Sequence, residues 1–141
     1  MHLDIITAEE VVYSDEVEAL LAPGIEGELG ILPHHAPLMT MLQPGELTIK
    51  KDGESTYLAV SAGFVEVLGN KVTILADAAE RSEAIDEDRA LAAMDTARER
   101  LANREGDIEL EQVARAMRRA QVRLDVVRKR RPRADMRQRL E

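Results

Sequence analysis

Glu46-Leu47-Thr48-Ile49-Lys50-Lys51-Asp52-Gly53-Glu54-Ser55-Thr56-Tyr57-Leu58-Ala59-Val60 decides the fold class of the first half of this chain. From Glu46 to Lys50 polar and apolar residues alternate, the period of a strand with one wet face and one buried face. Asp52-Gly53 tolerates positive φ and supplies a tight turn, after which Ser55 to Val60 runs back as the partner strand. The same device recurs at Gly69-Asn70, between Phe64–Leu68 and Lys71–Leu75. Two tandem hairpins make a meander. Short β-branched and aliphatic runs from Leu3 to Asp77 therefore predict a sandwich or flattened barrel rather than a parallel α/β sheet.

Upstream of the meander, Pro23 to Pro37 holds three glycines and three prolines. That is too punctuated for an interior strand or a helix, so it is expected to form a structured surface loop or a bulged edge. Downstream, the period turns helical after Ser82. Ile85, Leu91, Met94 and Leu101, with Ala90, Ala93 and Ala97, predict a helix from about Asp86 to Arg104 with one apolar side. Asp86 is a good N-cap, and Glu87 and Asp88 suit the positive end of the helix dipole. Glu105-Gly106-Asp107 breaks it, since Gly106 can take the left-handed position after a helix and Asp107 can cap the next. Val113, Met117, Ala120, Leu124 and Val127 then follow the 4,3,4,3 spacing of a helix lying along another. So short a connection makes the two antiparallel. The class is α+β: an antiparallel β-sandwich over residues 1–84, then a two-helix hairpin over 85–141.

Composition narrows what such a chain does. With 141 residues it is one large domain or two small ones, and with two tyrosines, one phenylalanine and no tryptophan its core must be aliphatic. The absence of cysteine removes disulfides, thiolate nucleophiles and Cys-type zinc sites. The first residues lack a basic start followed by an apolar run, and no stretch approaches the ~18–20 apolar residues needed to cross a bilayer, so a soluble chain is expected. The formal charge of −8 argues against nucleic acid, yet it hides an asymmetry. Residues 1–84 carry 15 acids against 4 bases, whereas residues 113–141 carry 11 bases against 3 acids. The halves face different partners or each other.

Chemistry-bearing patterns are sparse. His34-His35 are adjacent and have no further ligands at metal-site spacing, so an ordering or partner-contacting pair is expected rather than a metal centre. No nucleophile elbow, phosphate loop or base-paired serine is present, and no catalytic residue is assigned. The Gly24–Leu38 loop reads either as a rigid connection or as a docking surface, stiffened by prolines, that presents Glu28 and His35.

Several ordered motifs now carry a resemblance: Gly27-Glu28-Leu29-Gly30-Ile31-Leu32-Pro33-His34-His35-Ala36-Pro37-Leu38, then Leu42-Gln43-Pro44-Gly45, Ser61-Ala62-Gly63-Phe64-Val65-Glu66-Val67 and Val72-Thr73-Ile74-Leu75-Ala76-Asp77. Over essentially its whole length the chain resembles the epsilon subunits of F-type ATP synthases. The resemblance implies a ten-stranded sandwich followed by the two helices, and a rotor role with the sandwich on the gamma subunit and the ring of c subunits. It points to Glu28 as the residue facing the c ring. It implies His35, Thr7 and Thr40 on the gamma-facing surface. It also implies a peripheral place on the cytoplasmic face of a bacterial inner membrane.

Two further implications concern the hairpin. Ile85-Asp86-Glu87-Asp88-Arg89-Ala90 matches a motif that binds regulatory ATP in some members, which would add Glu80, Arg119 and Arg123 to Ile85, Asp86 and Arg89; no other cofactor is implied. Read from the residues alone, Asp86 is equally an ordinary cap. Thr96 stands where ATP-binding members carry an arginine. The second arm is basic at Arg115, Arg118, Arg119, Arg123, Arg128, Lys129, Arg130, Arg131 and Arg133. Bases in such a run repel one another unless an acidic surface receives them. The resemblance, which implies the alpha/beta catalytic subunits as partners, supplies one in the acidic C-terminal region of the beta subunits, where an extended hairpin would restrain ATP hydrolysis. Nucleic acid is the rival receiver, opposed by the acidic body and the lack of stacking aromatics.

Overall fold

The computed structural model of the chain describes residues 1–103 and 107–129. It divides into two compact units, Met1–Arg81 and the residues from Ser82 onward.

The first unit is built of ten strands: β1 (His2–Ile6), β2 (Val11–Glu16), β3 (Ala19–Gly24), β4 (Gly27–Ile31), β5 (Leu38–Leu42), β6 (Gly45–Lys51), β7 (Glu54–Val60), β8 (Gly63–Leu68), β9 (Lys71–Ala76) and β10 (Ala79–Arg81). They follow one path, β10-β7-β6-β3-β5-β8-β9-β1-β2, with β4 attached to β3 alone. Both expected hairpins are present: β6 pairs with β7 from Gly45↔Val60 to Lys51↔Glu54, and β8 with β9 from Gly63↔Ala76 to Leu68↔Lys71. Asp52 and Asn70 adopt positive φ in the two turns. Every pairing is antiparallel except β1 with β9, which is parallel. The path nearly closes on itself, because Arg81 Nη2 on β10 donates to the Val12 carbonyl of β2 at 3.4 Å and the guanidinium lies 5.4 Å from the Tyr13 ring centroid. A nearly closed ten-stranded sandwich results.

Its interior is aliphatic. Leu3, Ile5, Leu20, Ile31, Leu47, Ile49, Leu58, Val60, Val65, Val72 and Ile74 are fully buried in one cluster. Each such side chain contributes roughly 1.5–3 kcal/mol relative to exposure, which makes up for the missing aromatics.

The punctuated stretch takes both of its expected forms. Its first part is β4, an edge strand, and its second part is a loop whose His34 N–H donates to Asn70 Oδ1 at 2.9 Å. Proline at the end of β3 is tolerated where the ladder thins to one pair with β5, Gly24↔Leu42. A Cβ on Gly24 would lie 2.7 Å from the Gly27 carbonyl, so glycine is needed there.

The second unit contains a short 3₁₀ turn at Ser82–Ala84, then α1 (Glu87–Ala102) and α2 (Asp107–Lys129). Asp86 is the N-cap of α1, its side chain accepting from the Arg89 backbone N–H at 3.1 Å. Asn103 ends the helix, its N–H donating to the Glu99 carbonyl; the expected break at Glu105-Gly106 lies outside the described residues. Ala90, Met94, Ala120 and Leu124 form one buried cluster, and Arg128 Nε donates to Glu87 Oε1 at 2.9 Å. The end of α2 therefore lies beside the start of α1, and the hairpin is antiparallel. Two details of the expected stripe differ. Leu91 and Ala93 are exposed, because the buried line of α1 is Ala90, Met94 and Ala97, at i, i+4 and i+7. On α2, Val126 is buried while Val127 and Met117 are half-buried.

Candidate functional site

Strand alternation gives the sandwich an outer face across β5, β8, β9, β1 and β2, and registry aligns its side chains into rows. Met41 lies opposite Phe64, Phe64 opposite Leu75, Leu75 opposite Ile6, and Ile6 opposite Val11. This row is apolar in all five strands. Met41, Phe64, Leu75 and Val11 are 48–59% exposed and Ile6 is half-buried. Ile25, also exposed, extends it at the β3–β4 turn, where its N–H donates to the Met41 carbonyl at 3.0 Å. Five strands bring together what the sequence scatters over residues 6 to 75. A contiguous exposed apolar row of this kind is the candidate interaction surface of the sandwich.

The adjoining rows are polar toward β1 and β2. His2 bridges Asp4 and Glu16, each at 3.0 Å; Ser14 Oγ donates to Asp4 at 2.6 Å; and Lys71 Nζ lies 3.6 Å from Asp4. The Ser14 hydroxyl, aided by His2 and Lys71, holds the Asp4 carboxyl below its ordinary range against a smaller opposing effect of burial.

The residues singled out from sequence fall around this face in different ways. Thr7 builds the β1–β2 turn at the end of the apolar row, its Oγ1 accepting from the backbone N–H groups of Glu9 and Glu10. Glu28 is exposed on β4 opposite Pro23. His35 is half-buried, and its Nδ1 donates to the Ala36 carbonyl at 2.7 Å, so it orders its own loop. Thr40 pairs with the fully buried Val65 and so points to the inner side, while its neighbours Met39 and Met41 carry the outer surface.

In the hairpin, Ile85 is buried and Arg89 and Arg119 are exposed; Arg123 is half-buried. Glu80 lies in the other unit, on β10 opposite Ala59. Arg115 pairs with Glu111 on its own helix at 3.3 Å, and Arg128 with Glu87. Arg118 and Lys129 are exposed, whereas Arg130, Arg131 and Arg133 lie outside the described residues. Among the described residues no group of three His, Cys, Asp or Glu side chains is placed to hold a metal, and no helix is long and apolar enough to cross a membrane.

Sequence reasoning missed Met39, Met41, Phe64, Leu75 and Val11. A signal was available: Phe64 and Leu68 are out of phase with the inward Val65 and Val67, as Met39 and Met41 are with Leu38 and Leu42. An antiparallel strand that is apolar in both phases has a second surface to bury.

Comparison with known proteins agrees with this architecture. Residues 1–82 match the beta-sandwich domain of the ATP synthase delta/epsilon chain, and residues 83–128 match its long alpha-helix domain. An ATP synthase epsilon chain of Herpetosiphon aurantiacus is 51% identical, over 94% of this chain and 98% of its own. One of Dehalococcoides mccartyi is 52% identical over 93% and 94%. Among solved structures, a chain of the Euglena gracilis mitochondrial ATP synthase (OSCP/F1/c-ring, rotational state 1) superposes with a TM-score of 0.70 at 25% identity, covering 82% of this chain and 74% of that one. A chain of the Tetrahymena thermophila central stalk and c-ring shares the fold, with a TM-score of 0.53 at 20% identity over 62% and 71%. With both units matched in order along nearly its whole length, the chain belongs to the family of F-type ATP synthase epsilon subunits.

Proposed function

We propose that this chain is the non-catalytic central-stalk subunit that couples the gamma subunit to the c ring of an ion-translocating ATP synthase, and that its hairpin restrains ATP hydrolysis. The exposed row Met41–Phe64–Leu75–Ile6–Val11 carries the reading. Such a surface gains most by permanent burial against a partner, and gamma is the partner that family membership supplies. Thr7 and the His35 loop frame this contact. Glu28, at the exposed β3–β4 hairpin, meets the c ring. The subunit then sits peripherally at the cytoplasmic face of a bacterial inner membrane, held there through the complex.

The hairpin acts as the bistable element, and its exposed bases Arg118, Arg119 and Lys129, continued by Arg130 and Arg131, meet an acidic surface of the catalytic subunits when it extends. Arg128, already held by Glu87, ties the two helices together instead. Reconstitution with an F1 complex lacking this subunit tests both parts. Met41→Ser with Phe64→Ser is expected to abolish co-purification, and retained binding would remove the docking face. Truncation after Ser82 is expected to preserve assembly and raise ATP hydrolysis; hydrolysis unchanged by the truncation would sink the restraint.

Regulatory ATP is a separate reading. Arg89 and Arg119 are exposed cations without a carboxylate partner among the described residues, whereas one oxygen of Asp86 is committed to capping α1. Bound ATP would stabilise the folded hairpin by mass action. A rise in melting temperature with ATP, lost in Arg119→Ala, is the expected result; no rise at millimolar ATP would exclude the site.

A further inference from the structure

One carboxylate interrupts the apolar part of the outer face. Glu66 on β8 stands opposite Met39 on β5 and Thr73 on β9, with Phe64 and Leu68 two residues to either side on the same face of its own strand. Met39, Phe64 and Leu68 are each at least half exposed, and so the carboxylate is ringed by side chains that a partner would cover. No cation or hydrogen-bond donor among the described residues engages it. The bases of this face are committed elsewhere: Lys71 to Asp4, and His2 between Asp4 and Glu16.

In the free subunit water solvates Glu66 without cost. Covering its neighbours strips that water, and an ionised carboxylate left bare in an apolar contact is strongly unfavourable unless a cation meets it. Arginine suits this place better than lysine. Its planar guanidinium can bond the carboxylate through two N–H groups and lie flat against the Phe64 ring, and it gives up hydration more readily. We infer that Glu66 is the charge-reading residue of the docking face, and that the partner's matching surface is an apolar patch holding an arginine against it. A surface without that cation is rejected, because docking it would bury Glu66 unpaired. This inference rests on the docking reading given above.

The test uses the full-length chain and an F1 complex lacking this subunit, with association and dissociation rates measured for four proteins: the parent, Glu66→Gln, Glu66→Met and Phe64→Ser. Glu66 is exposed, so both of its variants should melt with the parent. Loss of one member of a buried charge pair acts chiefly on dissociation, so Glu66→Gln should release about 30-fold faster with a near-parental association rate. Glu66→Met should be at least as weak, since it strands the partner's cation. An unchanged off-rate for Glu66→Gln, or tighter binding of Glu66→Met, overturns the inference. If Phe64→Ser weakens binding in that case, only the role of Glu66 fails; if Phe64→Ser also binds like the parent, the docking face fails with it.

Discussion

Single atoms decide several positions in the sandwich. A Cβ on Gly63 would lie 2.0 Å from the Leu75 carbonyl oxygen, closer than any real contact, and the obstacle is backbone. Gly63→Ala is therefore expected to cost at least about 2 kcal/mol, within the range for overpacking, measured as a lower urea midpoint at unchanged m-value. Ser61 works by hydrogen bonding instead: its Oγ accepts from the Ala78 N–H at 2.9 Å, while its own N–H donates to the Ala78 carbonyl at 3.0 Å. Ser61→Ala leaves the Ala78 N–H without that acceptor and should lose roughly 1–3 kcal/mol in the same assay. At the surface, Lys51 donates to Asp15, and this bond holds the Asp15 carboxyl low and the Lys51 ammonium high. The depressed carboxyl contributes stability above its unfolded value that is lost as pH falls through the folded one. The raised ammonium contributes stability below its unfolded value that is lost as pH rises through the folded one. Lys51→Met should accordingly lower the middle of the pH–stability profile, where both contributions are present, and flatten its acid and alkaline limbs. A profile whose limbs are unaltered would show the pair to be idle. These roles depend on pairings made by the fold, and nothing in the types or spacing of Ser61, Asp15 or Lys51 announces them.

At the level of elements, periodicity carried far and contact decided the rest. The β6–β7 and β8–β9 hairpins were legible because turn residues and alternation agree. The three-residue β10 was not legible from pattern, being too short to show a period, and is held by β7 and by the reach of Arg81 to β2. In α1 the helix was legible, but which apolar residues face α2 was not: Leu91 is exposed while Ala90 and Ala97 are buried. Asp86 shows why a cap and a ligand residue look alike in sequence, since both need a short acceptor at a helix start. They separate by substitution. Asp86→Ser preserves an oxygen for the Arg89 N–H and should keep hairpin stability within a few tenths of a kcal/mol, whereas Asp86→Ala should lose about 1 kcal/mol. If ATP binds through the carboxylate, Asp86→Ser should lose the nucleotide-dependent rise in melting temperature even so. Retention of that rise would assign Asp86 to capping alone.

Across the whole molecule, the sandwich owns a complete aliphatic core, and every residue of that core precedes Ser82. A fragment ending at Arg81 is thus expected to unfold in one cooperative transition, with near-coincident curves from far-UV circular dichroism and tyrosine fluorescence; separated curves would show that the fragment is not one cooperative unit. The sequence alone determined the division into strand-rich and helical parts, the hairpin turns, the antiparallel helix pair and the family, because these depend on local period, turn chemistry and residue order. Tertiary structure alone decided the parallel β1–β9 pairing, the near-closure through Arg81 and the outer apolar row. Met41, Phe64, Leu75, Ile6 and Val11 become neighbours only when strands distant in sequence pair in one register. A one-residue slip between two neighbouring strands would turn the residues on one side of the slip inward, so the outer apolar row is a property of the register rather than of any segment.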